Sequence, residues 1–518
     1  MGFLEDRDIS DLPRISDFYG GKSLFITGGS GFMGQVLVEK LLYSCGDLNK
    51  IYLLLREKKG VTAEDRLKKL YESSCFNRLR LEKPNIFGEK IVAVPGDLCS
   101  KNMDRQTIRD NVQIIFHVAA SIRFNDNLPF AVNTNILSTK RVIELAYEVK
   151  DLLVLLHVST SYANCDRFNV EEKMYPPFAD WRETVEICEN LDKNVIAAFT
   201  EKYTHPLPNT YVFTKQLAEH LVYEHRGKLP IVISRPSIVI AAHTEPVPGW
   251  INNFNGPTAI VLPCGKGIMR SIYGRDVACD YVSVDICIKH FIALAWIRGT
   301  KKFEPTDDIP IYQSCSGKLH DVTMNQMVTE GQALSEKFPL DGVIWFPNYS
   351  VTSSRTYHYI KVLIITYRHS YVLIITYKKG FRLMKIQRRI YQATVALEYF
   401  VENQFSFQND NFIKLAAVVK EEDRNDFNYI VENLDTYKYF EMCAKNCPQY
   451  LLNQPPIDFD KSRKQYFSRF VIENSCLTPY FFWWQPTLQW IKFELNLNHL
   501  PDFTSTAFKG LAYYKPTS

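Results

Sequence analysis

The chain has 518 residues, 46% of them hydrophobic and 23% charged, with a formal net charge of +4. That length calls for two or more domains with ample core, the composition is that of an ordinary globular protein, and so small a charge excludes a nucleic-acid partner as the expectation. Its 12 cysteines are scattered with no CxxC pair, which fits a reducing compartment and argues against both a disulfide framework and a metal site.

The N-terminal stretch Met1–Asp8 carries acidic residues and no apolar run, so no signal peptide is expected. Asp6 stands where a myristoylation pattern needs Ser or Thr. Residues 23–27 then read as a short buried strand, followed by Gly28, Gly31 and Gly34 in a turn to a helix starting near Phe32. A pyrophosphate needs a backbone free of Cβ atoms and helix N–H groups aimed at it, and this turn offers both. The expected contacts are Thr27, Gly28, Gly31, Phe32, Met33 and Gly34. A glycine-rich turn with no ligand is the competing reading.

The next strand, Ile51–Leu55, closes a βαβ unit and ends in Arg56. A site selective for NADH places an acidic residue there for the ribose 2′-hydroxyl. A cation suits a 2′-phosphate instead, so NADPH is the expected cofactor and Arg56 its contact. Ile91–Leu98 reads as a third strand whose Asp97 and Leu98 would meet the adenine. Val112–Ala120 reads as a fourth, whose small Ala119 and Ala120 would admit the ribose. Apolar strands alternating with helices predict an α/β fold with a Rossmann-type, doubly wound parallel sheet.

Residues 152–164 read as a fifth strand delivering hydroxyls at its carboxyl end. Tyr211 and Lys215 follow at helical i, i+4 spacing and share a face. A neighbouring ammonium would favour the phenolate and make the tyrosine a better acid. Thr160 and Ser161 are adjacent candidates to hold a substrate oxygen, with Ser159 and Tyr162 as structural alternatives.

Several segments together carry a family resemblance. They are Phe18–Gly34, Ile51–Arg56, His117–Phe124, His157–Asn164, Tyr211–Lys215, Ser234–Val239 and Glu245–Thr258, the last with its Pro248-Gly-Trp250. On these the chain resembles the alcohol-forming fatty acyl-CoA reductases, within the extended short-chain dehydrogenases/reductases, whose glycine spacing is also GxxGxxG. The match continues through Asp280–Asp285, Ile311–Gly317, Ile386–Tyr391 and Phe405–Asn411, and weakens past Asp435. The resemblance implies reduction of a long-chain fatty acyl-CoA to a primary alcohol by two NADPH, with release of CoA. Tyr211 would protonate the oxyanion, Thr160 or Ser161 would hold it, and Lys215 would also hold the nicotinamide ribose. Arg235 and Pro236 would lie beside the nicotinamide, and residues 246–257 would line the acyl entrance or, alternatively, form a rigid connection packed on the sheet. The implied organisation is a reductase domain over 19–300, the end of the reductase substrate region and a linker over 301–354, a smaller, mainly helical C-terminal domain over 355–450, and an unassigned aromatic-rich tail over 451–518.

Two stretches bear on membranes. Val362–Tyr367 recurs verbatim as Val372–Tyr377, in halves too short and too β-branched to span as helices; a hairpin, an interfacial pair and a sequence-assembly error are the open readings. Residues 480–491 are aromatic-rich and interfacial in composition, or a core contact. The expectation is attachment to the cytosolic face of the endoplasmic reticulum or peroxisome. Oligomeric state is not legible.

Overall fold

The computed structural model describes residues 11–471 except residue 59 and the stretches 101–103, 318–321, 365–379, 432–433 and 453–454, and it also describes residue 473. Met1–Asp8, the second copy of the repeat and the aromatic run over 480–491 lie outside the described residues.

The first half of the chain alternates strands and helices as its apolar pattern demands. In order these are β1 (Leu24–Thr27), α1 (Phe32–Ser44), β2 (Ile51–Leu55), β3 (Ile91–Pro95), β4 (Ile114–His117), α2 (Ser138–Glu148), β5 (Val154–Val158), α3 (Thr210–Tyr223), β6 (Ile231–Pro236), β7 (Ile238–Ile240), β8 (Tyr281–Ser283), α4 (Val284–Gly299) and β9 (Ile311–Ser314). Seven of the strands form one sheet in the order β3-β2-β1-β4-β5-β6-β9, every pair parallel. The order reverses between β1 and β4, where a doubly wound sheet opens a crevice at the strands' carboxyl ends. The sheet runs on past residue 300 through β9, within the stretch read as the end of the reductase region.

Both faces of the sheet are covered, which is why its strands read as unbroken apolar runs. Leu24 and Ile26 of β1 face the cluster containing α1 and α4, and Phe25 between them faces the opposite cluster with α2 and α3. Helix α4 is buried along almost its whole length, because sheet, α1 and the C-terminal region all pack on it.

The C-terminal region is mainly helical, with α5 (Met324–Lys337), α6 (Gly380–Glu402) and α7 (Thr436–Leu452). It is woven into the sheet-bearing unit: Ser406 and Phe407 pair in parallel with Asn169 and Val170. Residues 355–364 are helical, so the described beginning of the first repeat copy continues a helix instead of turning into a hairpin strand. Among the described residues no helix is long and apolar enough to cross a membrane.

Candidate active site

The glycine turn is built as its sequence suggests. Gly28 has φ +74°, and a Cβ there would lie 2.7 Å from the Ala119 nitrogen, so β1 and β4 approach closely only because the residue is glycine. A Cβ on Gly34 would strike the Gly28 carbonyl and Gly29. The Gly31 N–H closes the turn on the Gly28 carbonyl at 2.9 Å. Helix α1 has no side-chain cap, and its first internal bond is Gln35 N–H to Gly31 O at 3.0 Å. The N–H groups of Phe32, Met33 and Gly34 therefore have no intrahelical acceptor, as an anion at this 13-residue helix requires. The half-buried Ala119 and Ala120 lie at the adjoining end of β4. A dinucleotide pyrophosphate fits this cradle.

Thr27 departs from its expected role. It is fully buried, its hydroxyl shared between His117 Nδ1 at 2.8 Å and the Ala119 N–H at 3.3 Å, so it ties β1 to β4 and does not face a ligand.

Arg56 extends from the end of β2 with 60% of its side chain exposed, its guanidinium 3.7 Å from the Asp97 carboxylate. Asp97 also accepts the Cys99 N–H at 2.9 Å, while Leu98 is buried. A second cation stands here that the sequence reading missed: Arg66 donates to the Arg56 carbonyl. Two guanidiniums thus share the rim at the end of β2. Arg66 sits ten residues along the chain in a helix of ordinary charged composition, and nothing local marked it.

Tyr211 and Lys215 lie on α3, whose N-terminus is capped by Asn209 accepting the Val212 N–H at 2.9 Å. The Thr160 hydroxyl lies near enough to the Tyr211 hydroxyl to ease its ionisation. Phe124 stacks on the Tyr211 ring at 5.9 Å, and Phe400 of α6 packs on Phe124 at 5.4 Å, so the C-terminal region walls the tyrosine. Burial pushes the Tyr211 phenol up to about 12, with the nearby Thr160 hydroxyl pulling the other way. The expected lowering by the lysine is absent. Lys215 Nζ instead donates to the Val158 carbonyl at 2.6 Å, and burial brings its ammonium down to about 8 against the pull of Glu219. In this apolar setting the cost of a buried phenolate sets the direction of the shift. Tyr211 is consequently a neutral, proton-bearing acid at physiological pH.

The two candidate hydroxyls separate clearly. Ser161 is fully buried and donates its proton to the Arg235 carbonyl at 2.8 Å, which turns it away from Tyr211. Thr160 faces Tyr211, with the Pro236 carbonyl at 3.4 Å. Ser159 is buried, and its hydroxyl has no partner among the described residues.

Arg235 requires correction. It lies within β6 and is wholly buried, gripping Glu219 through two bonds of 2.9 and 2.8 Å. Its remaining nitrogen reaches the carbonyls of Glu171 and Lys173. With the planar fork spent on these partners, the residue is a structural anchor and cannot meet a nicotinamide. Pro236 ends the same strand beside Thr160.

The 246–257 segment divides. Trp250 is 1% exposed, stacks on Phe32 at 5.5 Å and donates its indole N–H to Ser74 Oγ at 3.1 Å. This first half is therefore the packed connection, while Phe254 is 51% exposed. Asn135, also missed, sits in a π-helical stretch over Val132–Leu137. It accepts the Ser121 N–H at 2.8 Å and donates to Thr214 Oγ1 at 2.9 Å. A π-bulge has no residue signature of its own, though such bulges gather at functional sites.

Comparison with known proteins settles the family. Two family models, both described as Male sterility protein, match residues 26–291 and 358–454, the first of them an NAD-binding model. Fatty acyl-CoA reductase 1 of Homo sapiens is 35% identical over 462 residues, covering 88% of this chain and 89% of the relative. The chain belongs to the fatty acyl-CoA reductase family. Fatty acyl-CoA reductase wat of Drosophila melanogaster is 32% identical over 93% of this chain and 95% of its own. In fold, this reductase is similar to the reductase domain of a nonribosomal peptide synthetase from Mycobacterium tuberculosis, with TM-score 0.54, 15% identity and coverage of 85% and 94%. The terminal R domain of the myxalamid pathway gives 0.52 at 16% identity, over 86% of this chain and 96% of its own. The reductase is an oxidoreductase with a nicotinamide dinucleotide as its cofactor.

Proposed function

We propose that this reductase converts a long-chain fatty acyl-CoA to the primary alcohol with NADPH, releasing CoA. The observation that carries the chemistry is the Tyr211 hydroxyl beside Thr160, under an aromatic wall, at the carboxyl end of the sheet. Gly28, Gly31, Gly34 and the open N–H groups of α1 would hold NADPH, which would supply one hydride to the thioester carbon and one to the aldehyde left when CoA departs. Tyr211 is protonated at neutral pH and donates its proton to the substrate oxygen as that oxygen gains charge. Thr160, beside Tyr211, offers its hydroxyl to the same oxygen. Lys215 holds the end of β5 through the Val158 carbonyl and is placed to restore charge balance once Tyr211 has lost its proton. Phe124 and Phe400 keep water from the reacting carbon, which protects an aldehyde that must stay for a second reduction.

The choice of NADPH over NADH rests on Arg56 and Arg66 sharing the end of β2, where a 2′-phosphate would lie. Attachment to a membrane surface is supported by exposed Tyr357, Tyr359, Leu363 and Ile364 on the helix over 355–364, with Ile386 and Val395 on α6. The cytosolic face of the endoplasmic reticulum or peroxisome remains the proposed location. Flotation with phosphatidylcholine vesicles tests the attachment, and recovery of the protein in the lipid-free fraction would count against it. For the chemistry, Tyr211→Phe is expected to cut turnover of palmitoyl-CoA by at least about 100-fold with NADPH binding retained. Near-normal turnover would remove Tyr211 from its role as the acid.

A further inference from the structure

Positive charge in this chain is concentrated in one stretch outside the catalytic site. Residues 342–397 contain nine Lys and Arg and no Asp or Glu, in a chain whose net charge is only +4. Cations interleaved with aliphatic and aromatic residues are the composition of a segment that lies on an anionic membrane.

Two helices carry the described part of this stretch, one over 355–364 and the other α6, and they run antiparallel side by side. Arg355 pairs with Glu398 at 3.2 Å, Tyr359 meets Tyr391 with ring centroids 5.9 Å apart, and Val362 lines one small cavity with Gln387. Leu363 and Ile364 therefore come level with the turn of α6 that holds Lys385–Arg389. Both helices are seated on the same segment. His358 Nδ1 lies 3.0 Å from Ser271 Oγ, and Gln387 donates to the Ile268 carbonyl at 2.7 Å.

At 3.6 residues per turn, Leu363 and Ile364 lie away from buried His358, and Lys385 and Arg389 lie opposite buried Gln387. The outer faces of the two helices thus point the same way and make one surface. Leu363, Ile364, Lys385, Ile386, Arg388 and Arg389 are all exposed on it. The three cations have no ion-pair partner among the described residues. Phe400, which walls Tyr211, lies farther along α6, roughly 17 Å from Arg389, so one rigid helix joins this surface to the catalytic site.

We infer that this two-helix face docks on a bilayer that contains acidic phospholipids. Leu363, Ile364 and Ile386 enter among the headgroups, and Lys385, Arg388 and Arg389 meet their negative charge. The inference deepens the membrane-surface reading above by naming the lipid charge and the residues that read it. A zwitterionic bilayer would use the aliphatic residues and leave the cations without net counter-charge. A second copy of this chain is the wrong occupant, since two such faces would set like charges against each other.

The test is co-sedimentation of the full chain with vesicles of phosphatidylcholine alone and with about one-third phosphatidylserine, at low salt and at about 0.5 M salt. The wild type should bind the acidic vesicles about a hundredfold more tightly than the neutral ones, and lose most of that advantage at high salt. The triple variant Lys385→Gln, Arg388→Gln, Arg389→Gln should lose about a hundredfold on acidic vesicles only. A control that removes the same charge elsewhere, Lys193→Gln, Lys202→Gln, Lys228→Gln at exposed positions, should bind as the wild type does. Equal losses in the two triple variants would overturn the inference. So would wild-type binding that ignores lipid charge and salt, which would leave membrane attachment itself standing. Binding to neither vesicle would reject the attachment reading and the inference together. A dimer in lipid-free solution that the first triple variant alone breaks would make the face a self-interface and also reject it.

Discussion

The Trp250 indole lies face to face with the Phe32 ring, centroids 5.5 Å apart and planes 17° from parallel, at the first residue of the nucleotide helix. The Pro-Gly-Trp segment therefore supports the cofactor turn from below. Glu245, just before it, is held by Lys40 at 2.9 Å, Arg78 at 2.9 Å and Lys289 at 3.0 Å, three cations that bring its carboxyl down to about 2. Trp250→Ala is expected to cost about 3–5 kcal/mol in unfolding free energy and to raise KM for NADPH, because it removes a core ring and loosens Phe32. Denaturant melts and cofactor titration check both; an unchanged KM in a folded variant would separate the segment from the nucleotide site.

Arg56 and Arg66 give a test of cofactor choice. Arg56→Ala should weaken NADPH by about ten- to a hundredfold, the worth of a charge-assisted bond, and leave NADH nearly unchanged. Arg66→Ala should act in the same direction. Steady-state KM values for the two cofactors measure it, and equal losses for both would contradict a 2′-phosphate contact.

The Arg235–Glu219 pair makes a purely structural prediction. Glu219→Gln leaves a buried guanidinium half-matched and should destabilise by about 3–5 kcal/mol. Replacing both residues by apolar ones of similar size should cost less than the two single changes summed. A double-mutant cycle by urea unfolding reads this directly, and additive effects would mean that the pair is not coupled.

Lys215 predicts a pH dependence. Its ammonium is brought down from 10.5 to about 8 in the folded protein, so the unfolded chain binds the extra proton between these values. Stability is therefore penalised below about pH 8, and the penalty is relieved as pH rises from there toward 10.5. Activity should move the opposite way, falling as pH passes about 8 and the ammonium is lost. Lys215→Arg, charged throughout, should lack this falling limb if it retains turnover. A wild-type rate that stays flat through pH 9.5 would rule out a charged Lys215 in the mechanism.

The contrast between what could be read and what could not has a physical pattern. Strands β1, β2 and β4 were legible because burial on both faces forces apolar runs, and Gly28 because only glycine tolerates its close approach to Ala119. Tyr211 and Lys215 were legible from i, i+4 spacing. Arg235 was misread because spacing cannot tell a strand residue that faces the ligand from one that meets a carboxylate on α3. The two readings of Trp250 stayed open for a related reason: an aromatic in a loop suits a core as well as a tunnel, and the structure puts it in the core. The shift on Tyr211 depended on Phe124 and Phe400, which come from distant parts of the chain. Arg66 and Asn135 carry their significance only in three dimensions.

The central claim is a double reduction at one site. Purified protein with palmitoyl-CoA and excess NADPH, the lipid product identified by mass spectrometry and NADPH loss followed by absorbance, should give hexadecanol with two NADPH consumed for each CoA thiol released. Hexadecanal accumulating at one NADPH per thiol, or no thiol release, would contradict the account.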